Sequence, residues 1–141
     1  MPTRVLRDSS KPARKRGGPI AFALRQAIWA MPCAVCGVPY NINVDHIVPV
    51  AKGGTSDPKN LQPLCHTCNH IKGCRLDNDA IATVIASRGY EHFLRAVFNH
   101  YTRALNPYDK PSVSQWCVAH PEGARQATEL FVAFQSRLSH A

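Results

Sequence analysis

The sequence is short of acidic residues and has no apolar segment that could cross a membrane. Among its 141 residues, 9 are acidic and 17 are lysine or arginine, which gives a net charge of +8. The longest uncharged segment, residues 26–44, is interrupted by two prolines, two asparagines and two cysteines. Such a segment cannot form an unbroken helix across a bilayer, so we expect no membrane partner.

A secretory signal is also missing, because the basic residues of the opening MPTRVLRD are not followed by an apolar stretch. We therefore predict a cytoplasmic protein, in a nucleoid or a phage-infected cell, that is not secreted. Disulfides are rare in that reducing compartment, so the six cysteines favour metal ligation over cross-linking. The length of the chain excludes a Rossmann enzyme with a second domain and a TIM barrel.

The excess of basic residues divides the chain into three segments. Residues 1–18 carry six bases and one acid, residues 19–75 carry five bases and two acids, and residues 76–141 carry six of each. The first segment also holds two prolines and a glycine pair, which predicts a flexible basic arm. We expect a nucleic acid to contact the first half of the chain. The arm residues expected to track it, or alternatively to form a nuclear address, include Lys11, Arg14, Lys15 and Arg16.

Hydrophobic spacing predicts an α+β fold that is predominantly helical. A helix of about twelve residues is expected from Pro19 to Met31, where the following proline ends the pattern. Residues 41–50 predict one or two short strands, and residues 51–60 predict a loop. Residues 66–75 then predict a short helix that breaks near a glycine.

Residues 76–141 predict a helical subdomain. Asp77, Asn78 or Asp79 can cap its first helix, and Gly89 can end it. Pro121 can open its last helix. Aromatic residues at helical spacing favour packing over base stacking, and the subdomain could support the central region or form a homodimer. These residues are Phe93, Phe98, Tyr101, Phe131 and Phe134. The histidines expected at helix surfaces or ends, without a role, are His92, His100, His120 and His140.

Four of the cysteines form two CxxC pairs. The first pair is Cys33 and Cys36, the second is Cys65 and Cys68, and 28 residues stand between them. Two such pairs can supply four thiolates to one structural zinc ion in a closed tetrahedral site. The spacer is longer than the 15–20 residues or so of a plain zinc ribbon, so a further element is inserted between the pairs. Redox-active or unrelated cysteine pairs are the alternative.

Polar residues suited to catalysis lie inside and just after this spacer. Asp45 and His46 follow an apolar strand pattern, and Asn69 comes directly after the second cysteine pair. A zinc ion that joins the two ends of the spacer would let these three side chains face one another. Taken alone, Asp45 and His46 could instead form an ordinary ion pair at the end of a strand.

The order and spacing of these residues carry a family resemblance. They read Cys33-x-x-Cys36, Val44-Asp45-His46-Ile47-x-Pro49, Gly53-Gly54, Asn60-Leu61-Gln62-x-Leu64-Cys65-x-x-Cys68-Asn69 and Lys72-Gly73. This pattern resembles the HNH endonucleases of the ββα-metal type, in the subset with a four-cysteine zinc site. The letters of the family name fall on His46, Asn60 and Asn69, the last of which is more often histidine in the family.

The resemblance implies a metal-dependent endonuclease that hydrolyses DNA and leaves 5′-phosphate and 3′-hydroxyl ends. His46 would be the general base, and Asp45 and Asn69 would hold one Mg²⁺ or Mn²⁺ ion, since these ions prefer oxygen ligands and retain water. Asn60 would brace the loop and orient His46. His70 is a rival to Asn69 as the ligand, but on a helix it points about 100° away.

Three basic residues around this pattern are candidate DNA contacts. Lys72 and Arg75 follow Asn69 on the same helix, and Lys52 precedes the glycine pair. For each of them the alternative is an ordinary solvated position. A non-catalytic zinc module that binds nucleic acid is the alternative function, and an RNA-cutting or toxin nuclease would share the chemistry. The family occurs in phage genomes, in defence systems and in mobile elements, and the sequence fits each of these settings.

Overall fold

The computed structural model describes residues 18–140, so the predicted contacts of Lys11, Arg14, Lys15 and Arg16 lie outside the described residues. Within this range six α-helices accompany one two-stranded antiparallel sheet, which confirms the predominantly helical α+β fold. In chain order the elements are α1 (Phe22–Trp29), β1 (Ile42–His46), β2 (Leu61–Cys65), α2 (His66–Lys72), α3 (Asn78–Arg88), α4 (Tyr90–Thr102), α5 (Val113–Ala119) and α6 (Pro121–Ser139). Short 3₁₀ turns lie at Val50–Lys52, Pro58–Asn60 and Pro107–Asp109.

The sheet and α2 form a ββα unit at the centre of the chain. Strand β1 pairs with β2 in a register that sets Asp45 opposite Gln62. All five residues of β2 are buried, whereas all five residues of β1 are half-buried. Helix α2 begins at His66, directly after β2, and packs against both strands. The predicted order of strand, loop, strand and helix is therefore confirmed, with one strand before the loop.

Helix α1 is shorter than predicted. It begins at Phe22 rather than at Pro19, because the residue before it, Ala21, is extended with ψ of 141°. Ile28 is its only buried residue, and the helix packs against both strands of the sheet. Phe22 and Trp29 are 64% and 45% exposed. Helix α1 therefore contacts the sheet through a narrow face and leaves most of its apolar surface in solvent.

Helices α3 and α6 begin where their capping residues predict. The Asp77 side chain accepts a hydrogen bond from the Ala80 N–H at 2.8 Å. Helix α3 ends before Gly89, which has φ of 65°. Pro121 is the first residue of α6, a position that needs no N–H donor. The predicted start and end of α3 and the predicted start of α6 are confirmed.

One hydrophobic core joins the cysteines of the central unit to the helices that follow. Phe93 on α4 and Phe134 on α6 are at most 1% exposed, and their ring centroids lie 5.4 Å apart. Tyr101 is 55% exposed and lies at the rim. The other buried members are Cys33, Val35, Cys36, Val38, Leu64, Cys65, Cys68, Ile81, Ile85, Val97, Phe98, Trp116 and Ala127. Among the described residues, no helix combines the length and hydrophobicity that a membrane crossing requires.

Candidate active site and metal centre

The four cysteines of the two pairs meet at one point. The Sγ atoms of Cys33, Cys36, Cys65 and Cys68 lie within 4.8 Å of one another, and all four residues are buried. Those of Cys36 and Cys65 are 3.7 Å apart. A tetrahedral site with zinc–sulfur bonds of about 2.3 Å requires sulfur–sulfur distances of about 3.8 Å. The cluster could therefore hold one zinc ion.

The backbone of each pair prepares one cysteine for metal binding. The Cys36 N–H donates to Cys33 Sγ at 3.5 Å, and the Cys68 N–H donates to Cys65 Sγ at 3.4 Å. A side-chain hydrogen bond with Cys36 lowers the pKa of Cys33 to about 7. Hydrogen bonds within the cluster lower the pKa of Cys65 and raise the pKa values of Cys36 and Cys68, and the hydrogen bond with Cys33 has the largest effect in each case. The thiolate is the form that binds zinc, and the lowered pKa of Cys33 and Cys65 favours it.

His46 lies at the end of β1 and is held through one ring nitrogen. Its Nε2 is 3.0 Å from Ser56 Oγ, which in turn donates to the Gly18 carbonyl at 2.8 Å. A serine hydroxyl has one proton, so while Ser56 donates to Gly18 its oxygen accepts from the Nε2–H of His46. The other ring nitrogen, Nδ1, is then the atom left to take up a proton.

Asn60 braces the loop that follows His46. Its Oδ1 accepts from the Val48 N–H at 2.8 Å, and its Nδ2 donates to the carbonyls of Val48 and Thr55 at 3.1 and 2.7 Å. Its own carbonyl accepts from the Ile47 N–H at 2.8 Å. Three of these bonds hold the backbone immediately after His46, and the fourth holds Thr55 on the other side of the loop.

The glycine pair lets the same loop close on the backbone. A Cβ atom on Gly54 would lie 1.7 Å from the Val48 carbonyl oxygen. Gly53 has φ of 92°, a conformation that other residues rarely adopt. A side chain at either position would therefore strain the loop that Asn60 braces.

Asp45 is held by a buried ion pair. Lys72 Nζ lies 2.6 Å from Asp45 Oδ2, and the two side chains are 2% and 10% exposed. The lysine also donates to the carbonyls of His46 and Ile47 at 2.6 and 3.2 Å. Gln62 donates to the same Asp45 oxygen at 3.0 Å. Asp45 Oδ1 accepts no hydrogen bond from the part of the chain that the structure describes, so one carboxylate oxygen is left for another ligand.

Asn69 and His70, the rival candidate for the metal ligand, point to different sides of helix α2. Asn69 precedes Lys72 by three residues, so both lie on the side of α2 that faces Asp45. Asn69 is half-buried, whereas His70 is exposed. The rings of His70 and His66 lie 6.4 Å apart. This pair marks the side of the helix that is directed away from the ion pair.

A surface cavity of about 290 Å³ brings Asp45 and His46 together. Lys72 and the adjacent Gly73 also line it. Asn69 is not among the lining residues and lies about one turn earlier on α2. The structure thus joins the carboxylate to the histidine and leaves Asn69 beside the cavity.

The predicted DNA contacts divide according to their exposure. Lys52 and Arg75 are exposed, as a phosphate contact requires. Lys72 is 3% exposed and its ammonium is taken up by three protein acceptors, so its placement argues against a phosphate contact. Its spacing predicts that it shares a helix face with Asn69. That face, however, is covered by β1 rather than by solvent.

Three residues of the site carry little signal in the sequence. Ser56 lies in the loop between the strands, and nothing in its spacing marks it as the partner of His46. Gln62 belongs to the pattern that resembles the family, and nothing else in the sequence indicates that it supports Asp45. Gln62 exchanges hydrogen bonds of 3.0 and 2.8 Å with Asn78 at the start of α3. The helical region therefore contributes to the support of Asp45.

Taken together, these features define a ββα unit with a four-cysteine cluster and a histidine held beside a carboxylate. Residues 33–75 match the protein-family model described as HNH endonuclease. The resemblance is confirmed for this segment, and the cysteine cluster fits the zinc-containing subset. The family as a whole consists generally of endonucleases acting on nucleic acids. No curated protein and no solved structure is significantly similar to the chain.

Proposed function

We propose that the protein is a metal-dependent endonuclease that hydrolyses DNA phosphodiester bonds and leaves 5′-phosphate and 3′-hydroxyl ends. One observation carries the proposal. His46, bound through Nε2 to Ser56, shares a cavity with Asp45 inside the segment that matches the HNH family. The proposal is supported because a histidine next to a free carboxylate oxygen could act as base and metal ligand, which phosphodiester hydrolysis needs and a simple binding module does not.

His46 acts as the general base through Nδ1. With Nε2 engaged by Ser56, Nδ1 takes the proton from the attacking water. A positioned base of this kind contributes roughly 10² to 10⁴ in rate. Asn60 keeps the following backbone in place and so supports the orientation of the ring.

Asp45 and Asn69 would hold the divalent ion. Asp45 offers Oδ1, and Asn69 offers an amide oxygen from the side of α2 that faces it. Two protein oxygens leave positions for water and phosphate, which fits Mg²⁺ or Mn²⁺. When bound, the ion would stabilise the charge on the phosphate and on the leaving 3′ oxygen. Lys72 keeps Asp45 in one position and offsets part of its charge.

Zinc would have a separate, structural role. Four cysteine ligands fill a tetrahedral site and leave no open position for water or substrate. A zinc ion there would join the start of the central unit to the junction of β2 and α2. The cavity with Asp45 and His46 lies at the other end of the strands, where the catalytic ion is expected.

DNA would approach from the basic half of the chain. Lys52 and Arg75 are exposed near the two sides of the cavity. Gly18 contacts Ser56, so the basic arm joins the fold beside His46. We expect the arm to contact phosphates along the DNA backbone. Its excess of positive charge attracts phosphates electrostatically, and this attraction does not depend on the base sequence. A cytoplasmic location and a homodimer through the C-terminal helices remain part of the proposal.

Cleavage of supercoiled plasmid tests this function. The wild-type protein should nick or linearise the plasmid with Mg²⁺ or Mn²⁺, and sequencing of the ends should show the expected termini. His46→Ala should bind DNA and fold normally but cut at least about 10²-fold more slowly. His70→Ala is the matched control and should retain most activity. Full activity of His46→Ala would remove this residue from the mechanism.

The metal ligand is tested separately. Asn69→Ala should abolish Mg²⁺-dependent cutting, and Asn69→His should remain active with softer ions such as Mn²⁺ or Ni²⁺, which imidazole suits better. If His70→Ala fails and Asn69→Ala cuts normally, the ligand is His70.

The alternative function is a zinc module that binds nucleic acid without cutting it. Such a module would bind DNA with the same basic half but show no cleavage with any divalent ion. A parallel assay with RNA distinguishes a DNA endonuclease from an RNA-cutting or toxin nuclease, since both would use the same residues.

A further inference from the structure

Helix α1 exposes two large aromatic side chains on one face. Phe22 is 64% exposed and Trp29 is 45% exposed, and their ring centroids lie 6.2 Å apart at an angle of 78°. Residues seven apart lie on the same side of a helix, whereas the buried Ile28 is rotated by about 100° from Trp29. Single exposed apolar residues are common on proteins. Two large rings that contact each other in solvent instead indicate an interaction surface, which we call the α1 aromatic pair.

The charge around the α1 aromatic pair favours a nucleic acid as the partner. Residues 18–44 contain one charged side chain, Arg25, and residues 1–17 carry six bases and one acid. Arg25 is half-buried and follows Phe22 by three residues, so the two lie on the same side of the helix. Phosphates can therefore approach the rings without repulsion from a carboxylate. A second copy of the chain is disfavoured because it carries the same net charge of +8.

The start of α1 lies close to the candidate base. The Gly18 carbonyl accepts a hydrogen bond of 2.8 Å from Ser56, whose Oγ lies 3.0 Å from His46 Nε2. Phe22 follows Gly18 by four residues, so their Cα atoms are at most about 14 Å apart. Helix α1 also packs against β1, the strand that ends at His46. A DNA strand held beside His46 could therefore reach the α1 aromatic pair within a few nucleotides.

We propose that the α1 aromatic pair stacks on unpaired bases next to the cleavage site, and that the substrate is DNA with a single-stranded segment. The inference rests on the proposed endonuclease function and adds its substrate class. Every base has a flat face that can stack on an aromatic ring, whereas neighbouring base pairs cover these faces inside a duplex. Proteins that bind single strands without reading their sequence combine such rings with a positively charged surface. Phe22 and Trp29 supply the rings here, and Arg25 and the basic arm supply the charge.

Binding of oligo(dT), measured without added divalent ions so that no strand is cut, tests the stacking. Trp29→Leu keeps an apolar residue that suits a helix but removes the ring, and it should bind roughly 5- to 150-fold more weakly. Trp29→Phe retains a ring and should stay closer to the wild type. Tyr108→Leu is the matched control, because it removes a ring that is 96% exposed in the helical region, and its affinity should not change. Wild-type affinity of Trp29→Leu would overturn the proposal.

Two comparisons distinguish stacking from an electrostatic contact. Trp29→Leu removes no charge, so the slope of log affinity against log salt concentration should stay the same as in the wild type. A blunt duplex of the same length offers few free base faces, so Trp29→Leu and the wild type should bind it with similar affinity. An equal loss of affinity for the duplex and the single strand would contradict stacking on unpaired bases.

Tryptophan fluorescence reports whether the α1 aromatic pair is free and whether DNA covers it. Trp116, the other tryptophan of the chain, is 5% exposed, so quenching by acrylamide should come mainly from Trp29. Oligo(dT) should quench the emission of Trp29 and protect this residue from acrylamide, and the Trp29→Leu variant gives the reference signal of Trp116. Protection of Trp29 in the free protein, or a dimer that Trp29→Leu dissociates, would show that another part of the protein covers this face and would overturn the proposal.

Cleavage assays separate this proposal from the endonuclease function on which it rests. With Mg²⁺, the wild type should cut an oligonucleotide with an unpaired segment faster than a fully paired duplex, and Trp29→Leu should lose this preference. The same preference in both proteins would contradict only the stacking. A wild type that cuts no DNA but binds oligo(dT) through Trp29 would contradict only the endonuclease function.

Discussion

The central unit and the helical region reach a stable structure by different means. Residues 33–75 contain two five-residue strands, a seven-residue helix and a long loop. This region contributes to the hydrophobic core mainly the four cysteines and the apolar residues around them. Residues 76–140 contain four helices, and α4 and α6 pack through aromatic side chains such as Phe93 and Phe134. The first region is therefore expected to depend on a metal cross-link, and the second on apolar burial.

The two regions also divide the chemistry. The candidate base, the oxygens proposed to bind the divalent ion and the exposed basic residues around the cavity all belong to the central unit. The helical region has no net charge and supplies support through the hydrogen bonds between Asn78 and Gln62. The comparison teaches that a short ββα unit can leave its surface open because neighbouring helices complete its core.

Loss of zinc should have the largest effect and would test this comparison directly. Structural zinc contributes roughly 10–16 kcal/mol in small peptides, as much as the roughly 5–15 kcal/mol that stabilises a whole domain. In Cys36→Ser, or after chelation, residues 33–75 should unfold while α3 to α6 keep most of their helical circular dichroism. Cys74→Ser, at an exposed cysteine outside the cluster, is the control and should keep both zinc and fold. Loss of all helical signal in one step would show that the two regions form a single cooperative unit.

Removal of the buried ammonium should have the next largest effect. Lys72→Met leaves Asp45 with Gln62 as its remaining side-chain partner, and breaking a buried ion pair in this way costs roughly 3–5 kcal/mol. Denaturant unfolding of the zinc-loaded protein measures the change. The exposed Lys52→Met should stay within about 0.5 kcal/mol of the wild type. Similar stability of both variants would mean that the ion pair does not hold the central unit together.

The smallest expected effect concerns the uneven distribution of positive charge between the first half of the chain and the helical region. Each phosphate that a protein neutralises adds about 0.9 to the slope of log affinity against log salt concentration. Arg75→Ala should lower that slope by up to about 0.9, whereas Arg125→Ala, at an exposed position on α6, should leave it unchanged. Deletion of residues 1–17 should lower it by several units. A lower salt slope for Arg125→Ala would extend the DNA-binding surface into the helical region. The central unit and the helical region would then not differ in DNA binding.

Local spacing was enough to predict much of this molecule. The two CxxC pairs, the boundaries of α3, the start of α6 and the order of the ββα unit depend on residues close together in the chain. Asn60 and the glycine pair were also recognisable, because the family pattern preserves their order and spacing. These features follow from short-range geometry, and the structure confirms their placement.

Tertiary structure decided which atoms these residues meet. A helical pattern showed that Asn69 and Lys72 share a face, but not that β1 covers this face and takes up the ammonium. The contacts of Ser56 with His46 and of Gln62 with Asn78 likewise arise where separate parts of the chain come together. Burial and hydrogen bonding are determined by neighbours that are distant in sequence, whereas periodicity reports only the residue's own element. The sequence by itself therefore determined the candidate zinc ligands and the architecture, whereas packing alone decided the burial and hydrogen bonding of the candidate site residues.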